Sequence, residues 1–205
     1  MERREVSSRS NGLIRRSAAW LASTRVTPNQ ISVSSIVAAL AVPVGLQWLG
    51  GAAGIVLALI GIQLRLLANV LDGLVAVEGG KSSALGALYN EFPDRIADTI
   101  VLVSLGCAAG QPGLGWACAL LAALTAYVRV FGGALGLPQV FAGPMAKQHR
   151  MAVASVMLVA LLVLPRAASD WAMLSGLWII AIGSAWTCVR RTRGIAHALQ
   201  SKDTP

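Results

Sequence analysis

The chain is poor in charge. Only 13% of its 205 residues are Asp, Glu, Lys or Arg, against about a quarter in an ordinary soluble domain. Acids are scarcest, with 9 against 17 Lys and Arg. Cysteine is rare too: Cys107, Cys118 and Cys188 all lie in apolar stretches. They form no Cys-x-x-Cys pair and no zinc spacing, so they read as small buried side chains, and a secreted disulfide scaffold is excluded. The two histidines, His149 and His197, stand too far apart for a metal motif. What abounds is apolar, 56% of the chain, with a mean hydropathy of +0.67. That balance excludes disorder and indicates an integral membrane protein. The net charge of +8 then marks cytoplasmic loops rather than a nucleic-acid surface. No nucleic-acid partner is expected.

A helix needs about 20 apolar residues to cross a bilayer. Six stretches qualify as spans: residues 31–49, 52–71 (interrupted by Arg65), 94–110, 116–136, 151–164 and 171–189. The connections Gly50-Gly51, 111–115 and 165–170 are short, which makes their neighbours antiparallel. Arg3, Arg4, Arg9, Arg15, Arg16 and Arg25 precede the first span. Lys81 lies between spans two and three, Lys147 and Arg150 between four and five, and Arg190, Arg191, Arg193 and Lys202 after the sixth. Six spans put all of these on one side, and only Arg166 on the other. The positive-inside rule therefore places both termini in the cytoplasm. Trp48, Trp116 and Trp171 fall near the outer boundary. The N-terminus is not a signal peptide, because its basic stretch is long and residues 18–22 are too short an apolar core. Over residues 10–23, Ile14, Ala18 and Leu21 share one helical face, with Trp20 at its margin and Arg15 and Arg16 towards the other side. This reads as an amphipathic helix on the inner membrane surface. The expected fold is all-α, with six transmembrane helices and this interfacial helix. The expected division is a basic N-terminal segment 1–26, a membrane domain 27–189 and a basic cytoplasmic tail 190–205.

Five of the nine acids, Asp72, Glu78, Glu91, Asp94 and Asp98, lie between positions 72 and 98. Ionisable groups at membrane depth are costly, so such a cluster is a functional site by default. Asn69 and Asp72 are three apart and share a helical face; Gly86, Asn90, Asp94 and Asp98 repeat every four residues on the next helix. Antiparallel neighbours would point Asn69, Asp72, Asn90 and Asp94 at one cavity open to the cytoplasm. Carboxylate and amide oxygens suit Mg2+, Mn2+ or Ca2+. Gly73 and Gly86 permit close approach of a backbone or a flat base. Gly79-Gly80-Lys81-Ser82 is not a phosphate loop, since Val75 stands where its first glycine belongs.

These residues resemble the signature of the CDP-alcohol phosphatidyltransferases, D-x2-D-G-x2-A-R-x8-G-x3-D-x3-D. Every spacing matches, and Asp72, Gly73, Ala76, Gly86 and Asp94 match in identity. Asn69, Val77 and Asn90 replace an aspartate, the arginine and another aspartate. Thr27-Pro28-Asn29 before the first span is similar to the family's usual entry, and Pro28 suits a helix start. Tyr127-Val128-Arg129 and Lys147 are similar to basic positions of its members. The resemblance runs from about Thr27 to Val189. It implies transfer of a phosphatidyl group from CDP-diacylglycerol, or a related CDP-alcohol, to a small polar alcohol acceptor, with release of CMP, in phospholipid biosynthesis. It implies Mg2+ or Mn2+ at Asp72, Asn69, Asn90 and Asp94, with Asp94 the base for the acceptor. It implies Gly73, Ala76, Gly86 and Asn29 at the nucleotide, membrane lipids as surroundings, and a homodimer. A bacterial inner membrane is the expected location, with the site facing the cytoplasm.

The departures have physical consequences. Two asparagines in place of aspartates remove two negative charges, which favours one tightly held metal, or one bound with the nucleotide. Glu91 lies about 100° around the helix from Asn90 and cannot replace an aspartate there. Asp98 lies one turn beyond Asp94 and either joins the ligands, orients Arg95 or pairs with an arginine. Val77 removes a cation that would meet the donor; Lys81, Arg65 and Arg129 are candidates to supply it, although Arg65 also suits snorkelling or pairing with an acid. Arg129, Lys147, His149 and Arg150 could bind an acceptor phosphate or simply obey the positive-inside rule. Two other classes fit the composition: a non-catalytic scaffold that binds a CDP-lipid, and a small transporter whose acids line an ion path.

Overall fold

The computed structural model describes residues 12–81 and 83–203. Arg3, Arg4 and Arg9, and the side chain of Lys202, lie outside the described residues. Among them the chain is helical, without strands: α1 (Gly12–Ser23), α2 (Pro28–Pro43), a π-helical stretch Val44–Leu49, α3 (Gly51–Glu78), α4 (Gly86–Ala108), α5 (Pro112–Ala134), α6 (Lys147–Val163) and α7 (Arg166–Asp203). A helix covers each of the six expected spans, with two differences of extent. The third begins at Gly86, so the whole second half of the acidic pattern is helical. The last continues through residues 190–203, where a tail was expected. Among the described residues, four helical stretches can cross a membrane by length and composition: Pro28–Leu49, Gly51–Glu78, Pro112–Ala134 and Arg166–Ser201. The expectation was six. α4 falls short because it carries Glu91, Asp94, Arg95 and Asp98, and α6 because it has 17 residues.

The chain divides within α4, between Val101 and Leu102, into two compact units. In the first, α2 starts on a capping box. The Thr27 hydroxyl accepts from the Gln30 N–H at 3.2 Å and the Gln30 side chain accepts from the Thr27 N–H at 3.0 Å. Pro28, whose missing N–H is not needed at this position, opens the helix. The turn into α3 uses Gly50, whose φ of 67° suits glycine. Beyond the turn the helices touch backbone to backbone, since a Cβ on Gly45 or Gly54 would collide with the other's carbonyl oxygen.

α1 docks on this hairpin. Ala18 is fully buried, and Ile14, Leu21 and Ala22 pack with it against Ile31, Ala68, Leu74 and Val75. Arg15 pairs with Glu78 at 3.6 Å. The apolar face expected on the lipid therefore covers protein, because the end of α3 presents its own apolar side chains there. Leu13 and Trp20 face outward instead.

In the second unit α5 and α6 pack on α7. Gly106 and Gly115 repeat the backbone contact of the first hairpin, a Cβ on Gly106 meeting Gly115 Cα at 2.6 Å. The core is built of Met151, Met157, Leu158, Met173, Leu177 and Ile180. Cys118 is buried as expected and Cys188 half-buried, but Cys107 is exposed, on the outward side of α4. Trp48, Trp116 and Trp171 are exposed near the ends of their helical stretches, as interfacial tryptophans are.

Candidate active site

α3 and α4 carry the signature positions. Asp72 is buried, and its Oδ2 accepts from the Ser32 hydroxyl of α2 at 2.6 Å. One turn earlier, Asn69 is half-buried and its Nδ2 donates to the Arg65 carbonyl at 3.0 Å. That bond turns the amide nitrogen to its own helix and leaves Oδ1 as the outward atom. On α4, Asp94 and Asp98 are buried, while Asn90 is exposed.

A buried arginine joins the two helices. Arg65, with none of its surface exposed, places Nη2 2.5 Å from Asp98 Oδ1 and 3.7 Å from Asp94 Oδ1. Of the roles open to Asp98 and Arg65, the structure selects this pair. Arg95 approaches from the other side, with Nη2 3.5 Å from Asp94 Oδ2 and 3.8 Å from Glu91 Oε2. Asp94 is thus held between two guanidiniums.

Asn29, at the start of α2, donates to Ser83 Oγ at 3.5 Å. The same oxygen is the nearest neighbour, at 3.7 Å, of a Cβ built on Gly86. Beside this contact lies a cavity of about 480 Å3 lined by Thr24, Arg25, Thr27, Asn29, Lys81 and Ser83. Gly73 and Ala76 lie within α3, away from this lining. Lys81 bridges back to the segment between α1 and α2, its Nζ donating to the carbonyls of Thr24 at 2.6 Å and Val26 at 3.1 Å.

The second unit gathers its own cations. Arg129 donates to Gln139 Oε1 at 2.6 Å and lies over the Phe141 ring. Arg150 is buried and donates to the Met145 carbonyl at 2.9 Å and to Thr125 Oγ1 at 3.4 Å. Lys147 is half-buried at the start of α6, and His149 Nδ1 lies 2.6 Å from the Pro144 carbonyl. Arg191 completes the group, with Nη1 on the Thr125 carbonyl at 2.5 Å and Nε on that of Ala142 at 2.9 Å. The sequence reading left Arg191 in the tail. Its signal was periodicity, because Ser184, Thr187, Arg191 and Ile195 recur at helical spacing and are all buried. Ser32 was missed as well; it lies three residues after Asn29 in α2 and carries no charge to draw notice.

The donor chemistry at the signature suits a hard divalent cation. Asp72 and Asp94 offer carboxylates, Asn69 and Asn90 amide oxygens. Among the described residues no three His, Cys, Asp or Glu side chains group into a metal-holding cluster. Such a set fits a cation that shares its shell with substrate phosphates, the usual habit of Mg2+.

Comparison with known proteins gives a consistent picture. The family model for CDP-alcohol phosphatidyltransferase matches residues 25–188. Inner membrane protein YnbA of Escherichia coli (strain K12) is 29% identical over 188 residues, which cover 89% of this chain and 90% of that one. Among solved structures, Mycobacterium tuberculosis phosphatidylinositol phosphate synthase (PgsA1) with CDP-DAG bound has a TM-score of 0.74 at 21% identity, covering 90% of this chain and 94% of that one. The same synthase in complex with manganese and citrate has a TM-score of 0.72 at 21% identity, covering 89% and 88%. These two likenesses establish the fold.

Proposed function

The chain belongs to the CDP-alcohol phosphatidyltransferase family, and we propose that it moves a phosphatidyl group from CDP-diacylglycerol to a small polar alcohol. The observation that carries this reading is the pair of buried signature carboxylates, Asp72 and Asp94, on consecutive helices of an apolar bundle. The acceptor oxygen attacks the lipid-bearing phosphorus, the bond from that phosphorus to CMP breaks, and the acceptor proton passes to the Asp94 carboxylate. Arg65 and Arg95 hold that carboxylate in place. Asp72, steadied by Ser32, with Asn69, Asn90 and Asp94, would hold Mg2+ or Mn2+. When bound, that cation neutralises charge on the diphosphate and on the departing CMP. On this reading Gly86 and Asn29 meet the nucleotide at the cavity that Asn29 lines, and Gly73 and Ala76 meet it on α3 beside Asp72.

Arg129, Lys147 and Arg150, joined by Arg191, suit an acceptor that carries its own phosphate. Arginine forks match phosphate oxygens in pairs. The catalytic part is residues 27–189, with six spans, both termini and the site on the cytoplasmic side of a bacterial inner membrane, and with membrane lipids and a second copy of the chain as partners. CMP release by the purified protein tests the reading, with CDP-diacylglycerol, Mg2+ or Mn2+ and a panel of alcohols and alcohol phosphates. Acceptor-dependent release supports it. Donor binding without release for any acceptor overturns it in favour of a scaffold that binds CDP-lipid, a reading that Asn69, Asn90 and Val77 would then explain.

A further inference from the structure

Among the described residues, the lining of the cavity beside Asn29 has two cations, Arg25 and Lys81, and no carboxylate. The two cations differ in what they do. Lys81 already spends its ammonium on two backbone carbonyls, tying the segment between α3 and α4 to that between α1 and α2. Arg25 is exposed and makes no hydrogen bond or ion pair with any described residue. A positive cavity without a carboxylate is a place for an anion. Ser83 ties it to the signature, because its hydroxyl contacts Asn29 and lies nearest to Gly86.

Position 77, where the signature has arginine, is Val77, an exposed side chain with no charge. Of the other cations on or beside α3 and α4, Arg15 is engaged with Glu78, Arg65 with Asp98, and Arg95 with Glu91 and Asp94. We propose that Arg25 gives the donor's diphosphate the positive charge that position 77 lacks, while Lys81 fixes the shape of the cavity. A guanidinium suits this task, since its fork matches two phosphate oxygens at once. The assignment rests on the CDP-linked donor proposed above.

Binding of CDP and of cytidine to the full chain in micelles, with Mn2+ present, tests it by titration calorimetry and by competition. Arg25→Gln is expected to weaken CDP about tenfold or more, to leave cytidine unchanged, and to leave the melting temperature unchanged. Arg25→Lys is expected to recover part of the loss. Lys81→Met is expected to lower the melting temperature, because it releases the bridge to Thr24 and Val26. Wild-type CDP affinity in Arg25→Gln overturns the assignment and leaves the donor reading standing. So does an equal loss of CDP and cytidine, which would make Arg25 structural. Absence of CDP binding by the wild-type chain overturns the donor reading and this assignment with it. Melting in nanodiscs with and without phosphatidylglycerol separates the nucleotide from a lipid headgroup. Stabilisation by that lipid which Arg25→Gln loses, with CDP affinity unchanged, would give Arg25 to the lipid and overturn the proposal.

Discussion

Asp94 is the residue on which the chemistry turns, and its surroundings make its substitution informative. Arg65 approaches one of its oxygens and Arg95 the other. Asp94→Asn keeps the size of the side chain but cannot take a proton, and it puts an amide donor where one carboxylate oxygen accepted. Turnover measured by CMP release should fall about 10²–10⁴-fold, while detergent-phase melting stays close to wild type because Arg65 keeps its 2.5 Å contact with Asp98. Normal turnover would remove Asp94 from the role of base. Arg65 itself behaves differently. Arg65→Met would strand two buried carboxylates without this cation, at a cost of about 3–5 kcal/mol. Adding Asp98→Asn should recover part of that loss, and unfolding in denaturant would show both changes. If the single variant is as stable as wild type, the pair contributes nothing to the fold. A gain of charge probes the metal. Asn90→Asp adds a carboxylate at an exposed position on the helix of Asp94 and should tighten Mn2+ binding, read by electron paramagnetic titration. Unchanged affinity would take position 90 out of the ligand set.

At the scale of elements, two helix hairpins are closed by the same device, glycines nine residues apart whose backbones meet. A Cβ on Gly115 would lie 2.9 Å from the Leu102 carbonyl oxygen and 3.0 Å from Gly106 Cα. Gly115→Leu must therefore pry α5 from α4, and the melting temperature should drop by several degrees. An unchanged melting curve would mean that the crossing relaxes without cost. The device was not visible in sequence, because glycine pairs mark a contact only once the turn between them is known. Helix boundaries and inward faces were more legible. Thr27-Pro28-Asn29-Gln30 carries its own capping box, and Ile14, Ala18 and Leu21 declare one face of α1. What that face meets is not local information. Amphipathicity alone points it at lipid, and the end of α3 takes it. The acids were legible through their four-residue spacing, since charge stands out in an apolar helix. Their partners were less so: Arg65 suited a donor cation, a snorkelling side chain or an acid's partner alike, and Ser32 gave no signal. Arg191 was lost to the tail because Arg190, Arg191 and Arg193 together read as loop charge, although Arg191 alone of the three is buried.

For the whole molecule, the open quantity is the number of crossings, and the ion pairs bear on it. Composition alone passes four helical stretches, and α4 fails on its charges. Those charges are not isolated, however. Asp98 is neutralised by Arg65 and Glu91 by Arg95, and pairing is what makes ionisable groups tolerable at membrane depth. α4 then has 23 residues, roughly 34 Å at helical rise, enough for a hydrocarbon core of about 30 Å. α6, at 17 residues, sits at the lower edge of the workable range. With both inserted, Arg25, Lys81, Lys147 and Arg150 share one side, and the turns at Gly50 and Gln111 share the other. Single cysteines introduced at Gln111 and Ser83, with the three native cysteines replaced by alanine, convert this into a labelling experiment. A membrane-impermeant maleimide should reach Gln111→Cys in intact cells and Ser83→Cys only after permeabilisation. Labelling of both from the same side would mean that α4 does not cross, and would return the protein to fewer spans with the acidic pattern outside the bilayer.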